Sequence, residues 1–330
     1  MTESIARSFQ KLFGGQKALL AIVLVVLLMA LFNLNPGTST QFFTRFNLID
    51  LTNSNSILII LAMGQTVVLI ARGVDLSIGG VMSLSGIIAI QMINSDIPVP
   101  LAIVLCLLFG VIIGAVNAYF SVILGMEPFI ITLGMGIFLT GVAQQVTDAR
   151  PVSGTVPGFA KIANFKLLGG IPVLVVVMAV VVAIVYWLLR NTSYGRNVYA
   201  LGGDYEVAKS SGINVVRTKA LAYVICGATA ALAGVMLSSQ LNAGNSIFGD
   251  TTALYVVCAV VVGGTSIAGG IGGAIQSTIG VVLLGLLTNA FSMLRLDSLV
   301  QYLPQALLGL VIVVILWLDS YGRKRKRETV

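Results

Sequence analysis

Long apolar runs alternate with short polar breaks along almost the whole chain. The runs lie at 17–34, 54–71, 76–93, 99–124, 128–147, 171–190, 219–240, 252–266, 271–293 and 300–318. A membrane-spanning helix needs about 20 apolar residues. The pattern therefore predicts an all-α integral membrane fold of about ten transmembrane helices. The run at 252–266 is short, which predicts a half-span or a re-entrant piece. The connections are short except 35–53, 148–170 and 191–218, and none approaches the roughly 50 residues of a small soluble domain. The expected organisation is an N-terminal segment 1–16, one transmembrane domain 17–318 and a tail 319–330.

Charge sets the orientation. With the N-terminus in the cytoplasm and ten crossings, one side receives Arg7, Lys11, Lys17, Arg72, Arg190, Arg196, Lys209, Arg217, Lys219 and the tail Arg323 to Arg327. The other side receives only Arg45, Arg150, Lys161, Lys166 and Arg295. Basic residues collect on the cytoplasmic side of membrane proteins, so both termini are expected there. The first run follows a basic stretch but is too long for a signal peptide and lacks a small-residue cleavage site. It reads as a retained span. The RKRKR tail anchors the last helix and attracts anionic headgroups.

Composition agrees. The chain is 57% hydrophobic and 9% charged, with mean hydropathy +1.01, against about 25% charged for a soluble domain. Its 36 glycines suit helices that pack closely in lipid. The net charge of +7 reports orientation rather than nucleic-acid binding. There is no histidine, which removes the usual general base and metal ligand. Cys106, Cys226 and Cys258 sit in apolar runs and read as small buried hydrophobes. No GxxxxGK[ST], HExxH or CxxC occurs, so neither catalytic nor metal-binding residues are expected.

The polar stretch 191–218 stands out within this background. Tyr194-Gly195 and Gly202-Gly203 read as turns. Asp204 is a good N-cap, Glu206 and Lys209 suit the two ends of the helix dipole, and Gly212 is a stop. A short helix over Tyr205–Ser211 is predicted between two spans. It offers a handle for another protein, or else is merely a solvated loop.

Few residues within the spans are polar enough to act on a solute. Asp75, before Leu76, reads as an N-cap whose carboxylate accepts near Ile78, with Arg72 offsetting its charge; the alternative is an ion-coupled acid. Ser77 is next to it. Asn117 is a lone amide in a span. Glu127-Pro128 opens a helix, putting Phe129 and Thr132 in position to face a central pathway. Asn242, with Asn245 and Asp250, falls at the outer end of a span. Residues 64–86 and 254–277 share one pattern: apolar run, Gly turn, capping residue, paired glycines, apolar run. With Asp75 opposite Ser266, they form a candidate parallel internal repeat.

Four motifs in order, GVDLSIG (Gly73 to Gly79), EPFIITLG (Glu127 to Gly134), GRNVYALGGDYEVAKSSGIN (Gly195 to Asn214) and VVVGGTSIAGGIGG (Val260 to Gly273), carry a family resemblance. The chain resembles the membrane permeases of bacterial ABC importers of the ribose, xylose, arabinose and galactoside type over roughly residues 50–318. Ala200, Gly202, Ala208, Gly212 and Ile213 fall where the family pattern expects them. The resemblance implies a multi-pass subunit of the bacterial inner membrane that forms the solute pathway and hydrolyses no ATP itself. Its implied partners are a second permease subunit, an ABC ATPase that uses ATP and Mg, and an extracytoplasmic solute-binding protein. It also implies that Ala200, Gly202, Gly203, Asp204, Tyr205, Glu206, Ala208, Lys209, Gly212 and Ile213 couple to the ATPase. One departure matters. Where many members have an acidic E-L-D-A-I-A stretch, this chain has Ala253-Leu254-Tyr255-Val256-Val257-Cys258. That leaves sugar, nucleoside and branched-chain amino acid open as solute classes, and an ion-coupled transporter built on Asp75 is the alternative mechanism.

Overall fold

Apolar helices dominate the computed structural model, which describes residues 42–167, 170–249 and 251–293, with 19–20, 22–27, 29–30, 306, 309–310 and 313. The expected segment 1–16, the last span 300–318 for the most part, the basic tail, Asp250 and Arg295 lie outside the described residues. The described helical positions of 19–30 form α1. The helices that follow are α2 (Arg45–Ile70), α3 (Ile78–Asn94), α4 (Val99–Ala118), α5 (Pro128–Thr147), α6 (Pro157–Asn164), α7 (Val173–Asn191), α8 (Ser193–Gly203), α9 (Tyr205–Ser210), α10 (Val215–Leu241), α11 (Thr252–Val262) and α12 (Ala274–Met293). A π-helical turn, Tyr119–Ile123, extends α4. Six of these helices are long and apolar enough to cross a membrane: α2, α4 with its extension, α5, α7, α10 and α12. The apolar helices Ile78–Asn94 and Ser246–Val262 are shorter. With 11 residues, α11 is about 16 Å long, the expected half-span.

Two compact units divide the chain, one made of residues 1–51 and 282–330, the other of residues 52–281. In the first, Val25, Met29, Phe42, Leu286 and Ala290 are buried together. Asn47 and Asn289 exchange reciprocal amide hydrogen bonds of 3.0 and 2.8 Å there. Asn47 also donates to the Phe42 carbonyl at 2.8 Å. Such amide pairs join helices where no water offers an alternative partner.

The second unit is built around α10, which packs most extensively on α4 and α3. Glycine makes that approach close. A Cβ added at Gly110 of α4 would sit on the Gly227 carbonyl, and one at Gly227 would sit on the Gly110 carbonyl. Gly64 of α2 and Gly86 of α3 meet α10 as tightly, against Cys226 and Ser238. At the C-terminal end of α10, residues 148–167 fold over it. Val152–Ser153 (β1) pairs antiparallel with Ala243–Gly244 (β4), and Lys166–Leu167 (β2) with Ile171–Pro172 (β3). Ser239 of α10 accepts from the Ala163 N–H at 3.0 Å and donates to the Phe159 carbonyl at 2.6 Å, which fixes α6.

Three expectations change. Polar residues 45–53 are helical, because Thr44 begins α2 by accepting from the Asn47 and Leu48 N–H groups. Tyr194-Gly195 and Gly202-Gly203 are not turns but lie within α8, which Thr192 caps through the Gly195 N–H at 3.1 Å. Gly195 and Gly202 serve close approach: a Cβ at Gly195 would meet the Leu188 and Leu189 carbonyls, and one at Gly202 the Ile70 carbonyl. Of the expected repeat, the two helix-end turns match, with a shifted register. α2 and α11 end alike, through Gly73 N–H to Val68 O and Thr265 N–H to Val260 O. Arg72 (φ 56°) and Gly264 (φ 109°) are the left-handed residues. This sets Ser266 opposite Val74, one residue from Asp75.

Close backbone contact at Gly227 predicts that Gly227→Ala forces α4 from α10, at about 1–3 kcal/mol. The melting temperature of the detergent-purified protein should fall. Gly134→Ala, with nothing within 4 Å of its added Cβ, should leave it unchanged or raise it.

Candidate functional site

The polar segment folds by local capping. Asp204 ends α8 and begins α9, its Oδ1 accepting from the Glu206 and Val207 N–H groups at 2.9 and 3.1 Å. Gly212 (φ 80°) stops α9, with Gly212 N–H on Lys209 O and Ile213 N–H on Ala208 O, both at 3.1 Å. This is a paired C-terminal capping motif that glycine adopts without strain. Asn214 then starts α10 by accepting from the Arg217 N–H at 2.9 Å. The helix expected over Tyr205–Ser211 is observed over Tyr205–Ser210, with Ser211 as its cap. Of its residues only Ala208 is buried; Glu206 and Lys209 face outward, and Tyr205 and Val207 are 40% and 61% exposed. Two neighbouring apolar side chains thus stand on a short, charged, solvent-facing helix.

Arg72 holds this segment to the rest of the unit. Its Nε and Nη2 donate to the Gly202 and Gly203 carbonyls at 2.9 and 2.7 Å. It is therefore not the partner of Asp75 that its spacing suggested. The Gly270 N–H donates to the Ile70 carbonyl at 3.0 Å, and Tyr199 donates to the Gly272 carbonyl at 2.8 Å. The end of α2, the end of α8 and the turn 263–273 are thereby one junction. Burial pushes the Tyr199 hydroxyl up, against the opposing pull of Arg190. Burial also pushes up Tyr194, which donates to the Thr218 carbonyl at 3.3 Å. Both phenols stay protonated donors at neutral pH.

Four of the six candidate pathway residues meet in a buried knot just beyond that junction. Asp75 is 0% exposed. Its Oδ1 accepts from the Ser77 N–H at 2.9 Å and the Ser77 hydroxyl at 2.6 Å. Asn117 donates to Ser77 Oγ at 2.8 Å and lies 3.5 Å from Asp75 Oδ1. Thr132 accepts from the Leu76 N–H at 3.0 Å and donates to the Pro128 carbonyl at 2.8 Å. Asp75 thus forms a side-chain turn before α3 instead of capping it, and Ser77 holds the cap position. The other two candidates lie apart. Phe129 is exposed on α5. Asn242, at φ 51°, caps α10 and donates to the Gly154 carbonyl at 3.0 Å, so it anchors the β1–β4 cover.

The knot braces one wall of a groove of about 370 Å³, within the ~300–1,000 Å³ range of small-molecule sites. Gly80 lines it from α3 and Leu76 from the turn before it, Leu133, Gly136, Ile137, Thr140, Gly141 and Gln144 from α5, Ala253 and Leu254 from the start of α11, and Gly249 from the short helical turn Ser246–Gly249. Among the described residues no charged side chain lines it. Thr140 and Gln144 are its polar side chains. Neither stood out in the sequence, since each is a single polar residue in an apolar run; their spacing of four places them on one helical face. Arg72 and Val207 were legible only as a charge and an apolar residue beside more prominent neighbours.

Apolar helices around an uncharged groove, with a capped polar segment clasped at one end, define a multi-pass membrane transport protein. A family model described as "Branched-chain amino acid transport system / permease component" matches residues 47–316, and the chain belongs to that family. It is 33% identical over 315 residues to the ribose import permease protein of Haemophilus influenzae, covering 94% of each chain. It is 34% identical over 302 residues to the ribose import permease protein of Bacillus subtilis, covering 91% of each. The xylose transport system permease protein of Escherichia coli is 28% identical over 379 residues, covering 95% of each. No solved structure matches the chain.

The knot predicts unequal effects at Asp75. Asp75→Asn keeps an acceptor for Ser77 and removes a buried charge, so thermal stability should stay within about 1 kcal/mol. Asp75→Leu strands the Ser77 and Asn117 donors at about 1–3 kcal/mol for each unsatisfied group. Equal melting temperatures for the two variants would contradict this assignment.

Proposed function

We propose that this chain is the membrane permease of an ATP-driven sugar importer in a bacterial inner membrane, with both termini and the α8–α9 segment in the cytoplasm. The observation that supports it best is the clasped segment. α9 presents Tyr205 and Val207 outward, while Arg72 ties its base to the turn that leads into α3. An ATPase gripping α9 therefore pulls on the wall of the groove through a few short hydrogen bonds, with no flexible loop between.

The rest of the mechanism follows from that geometry. ATP and Mg are bound and used by the partner ATPase. A second permease subunit faces the groove and closes it into a pathway, against the exposed Phe129, Leu133, Ile137 and Phe138 of α5. A solute-binding protein delivers to the opposite end, over the cover formed by residues 148–167. The groove chemistry favours a neutral polyol over an amino acid. Ala253 stands where many members of the family carry an acid, and none of the described lining side chains is charged to meet an ammonium or a carboxylate. Thr140 and Gln144 suit hydroxyl groups. Ribose and xylose, the solutes named for the relatives, are the first to test.

Reconstitution in proteoliposomes with the ATPase and the binding protein should give pentose accumulation that requires ATP. Accumulation by this chain alone, driven by an ion gradient, would overturn the proposal. Val207→Glu should abolish co-purification of the ATPase while leaving the melting temperature of the permease unchanged, because the side chain is exposed. ATPase capture at wild-type level by that variant contradicts the docking role of α9.

A further inference from the structure

A second cavity lies away from the groove, where α7, α8 and the start of α12 converge. It has a volume of about 520 Å³. Tyr186 and Arg190 of α7, Arg196 and Tyr199 of α8, and Gly273 and Gln276 at the entry to α12 line it, and no acidic side chain does. Arg190 is held in place: Nη1 donates to the Tyr186 hydroxyl at 3.1 Å, and its guanidinium lies 5.7 Å from the Tyr186 ring centroid. That leaves the guanidinium most of its five N–H donors. The Arg196 side chain has no hydrogen-bond or ion-pair partner among the described residues. The first turn of α12 adds unpaired backbone N–H groups and the positive end of a 20-residue helix. Tyr199, through its bond to the Gly272 carbonyl, fixes the turn that sets where this helix begins.

Two guanidiniums, the Tyr186 hydroxyl and a helix N-terminus thus surround one cavity, and none of its described lining side chains is acidic. Arginine forks and helix N-termini match the tetrahedral oxygens of phosphate. Two nearby charges are committed elsewhere: Asp204 caps α9 and Arg72 clasps Gly202 and Gly203.

From this juxtaposition we infer that the cavity is a binding site for a phosphate-bearing anion, distinct from the solute groove. The phosphate comes either from a lipid headgroup, since Trp187 beside it is exposed as interfacial aromatics are, or from a soluble phosphate. Because α8 forms one wall and continues into Asp204 and α9, an anion bound here stiffens the base of the segment proposed to dock the ATPase. The binding itself does not rest on that proposal.

The test uses the full-length protein in neutral detergent, stripped of lipid, and isothermal titration calorimetry. Inorganic phosphate is titrated in one arm and dioctanoyl phosphatidylglycerol in the other. Saturable binding in either arm, weakened about tenfold or more in Arg190→Gln/Arg196→Gln and unchanged in Arg150→Gln, supports the site. Binding in the phosphate arm identifies a soluble ligand, and binding in the lipid arm alone identifies a headgroup. Both arginines are exposed, so the double variant should keep the wild-type melting temperature. No saturable binding in either arm, or equal binding by the double variant, overturns the inference. Neither result bears on whether the chain transports sugar.

Discussion

One arginine joins the two functional parts of this permease. Arg72 follows the end of α2, in a left-handed conformation, and its guanidinium reaches the last two carbonyls of α8. Those carbonyls, Gly202 and Gly203, would otherwise be unpaired at a helix C-terminus. A cation there answers both the missing hydrogen bonds and the negative end of the helix dipole. Gly202 has to be glycine for this: a side chain would strike the Ile70 carbonyl and the Gly270 backbone. Residues 70–72, 202–203 and 269–270 are thus packed backbone to backbone.

Beyond the junction the chain is braced by uncharged hydrogen bonds. Asp75 is the one acid in the knot, and its hydrogen-bonding neighbours are Ser77 and Asn117. Thr132 then fixes the Leu76 backbone from α5. The consequence reaches the groove, because Leu76 and Gly80 form one wall and Gly136 the facing one. Movement of α3 against α5 changes the groove, and the turn that leads into α3 is what Arg72 connects to the segment proposed to dock the ATPase. An acid at this depth normally suggests ion coupling; here its geometry is that of a structural turn.

Much of this was legible in the sequence. The apolar runs correspond to α2–α5, α7 and α10–α12, since lipid solvation permits little else of that length and composition. α9 was legible because Asp204 and Gly212 are specific capping signals. α8 was not: glycine weakens a helix and signals a turn in most sequences, while Gly195 makes room for the end of α7 and Gly202 serves a contact with residues far along the chain. The role of Arg72 was hidden for the same reason. Spacing pointed to Asp75 three residues away, and the true partners are about 130 residues further on. Asp75, Ser77, Asn117 and Thr132 were picked out as polar residues in apolar runs and do meet. Asn242 was picked out by the same rule and serves the cover instead, because polarity alone does not say which end of a helix faces which neighbour.

The central claim is that the Arg72 clasp transmits movement from the docking segment to the groove. The most direct test is the ratio of sugar imported to ATP hydrolysed in the reconstituted transporter carrying Arg72→Gln. Loss of two charge-assisted hydrogen bonds should leave ATPase docking and hydrolysis intact while lowering import per ATP by about tenfold, a coupling free energy in the ordinary range for linked sites. An unchanged ratio in a fully assembled Arg72→Gln transporter would contradict the account.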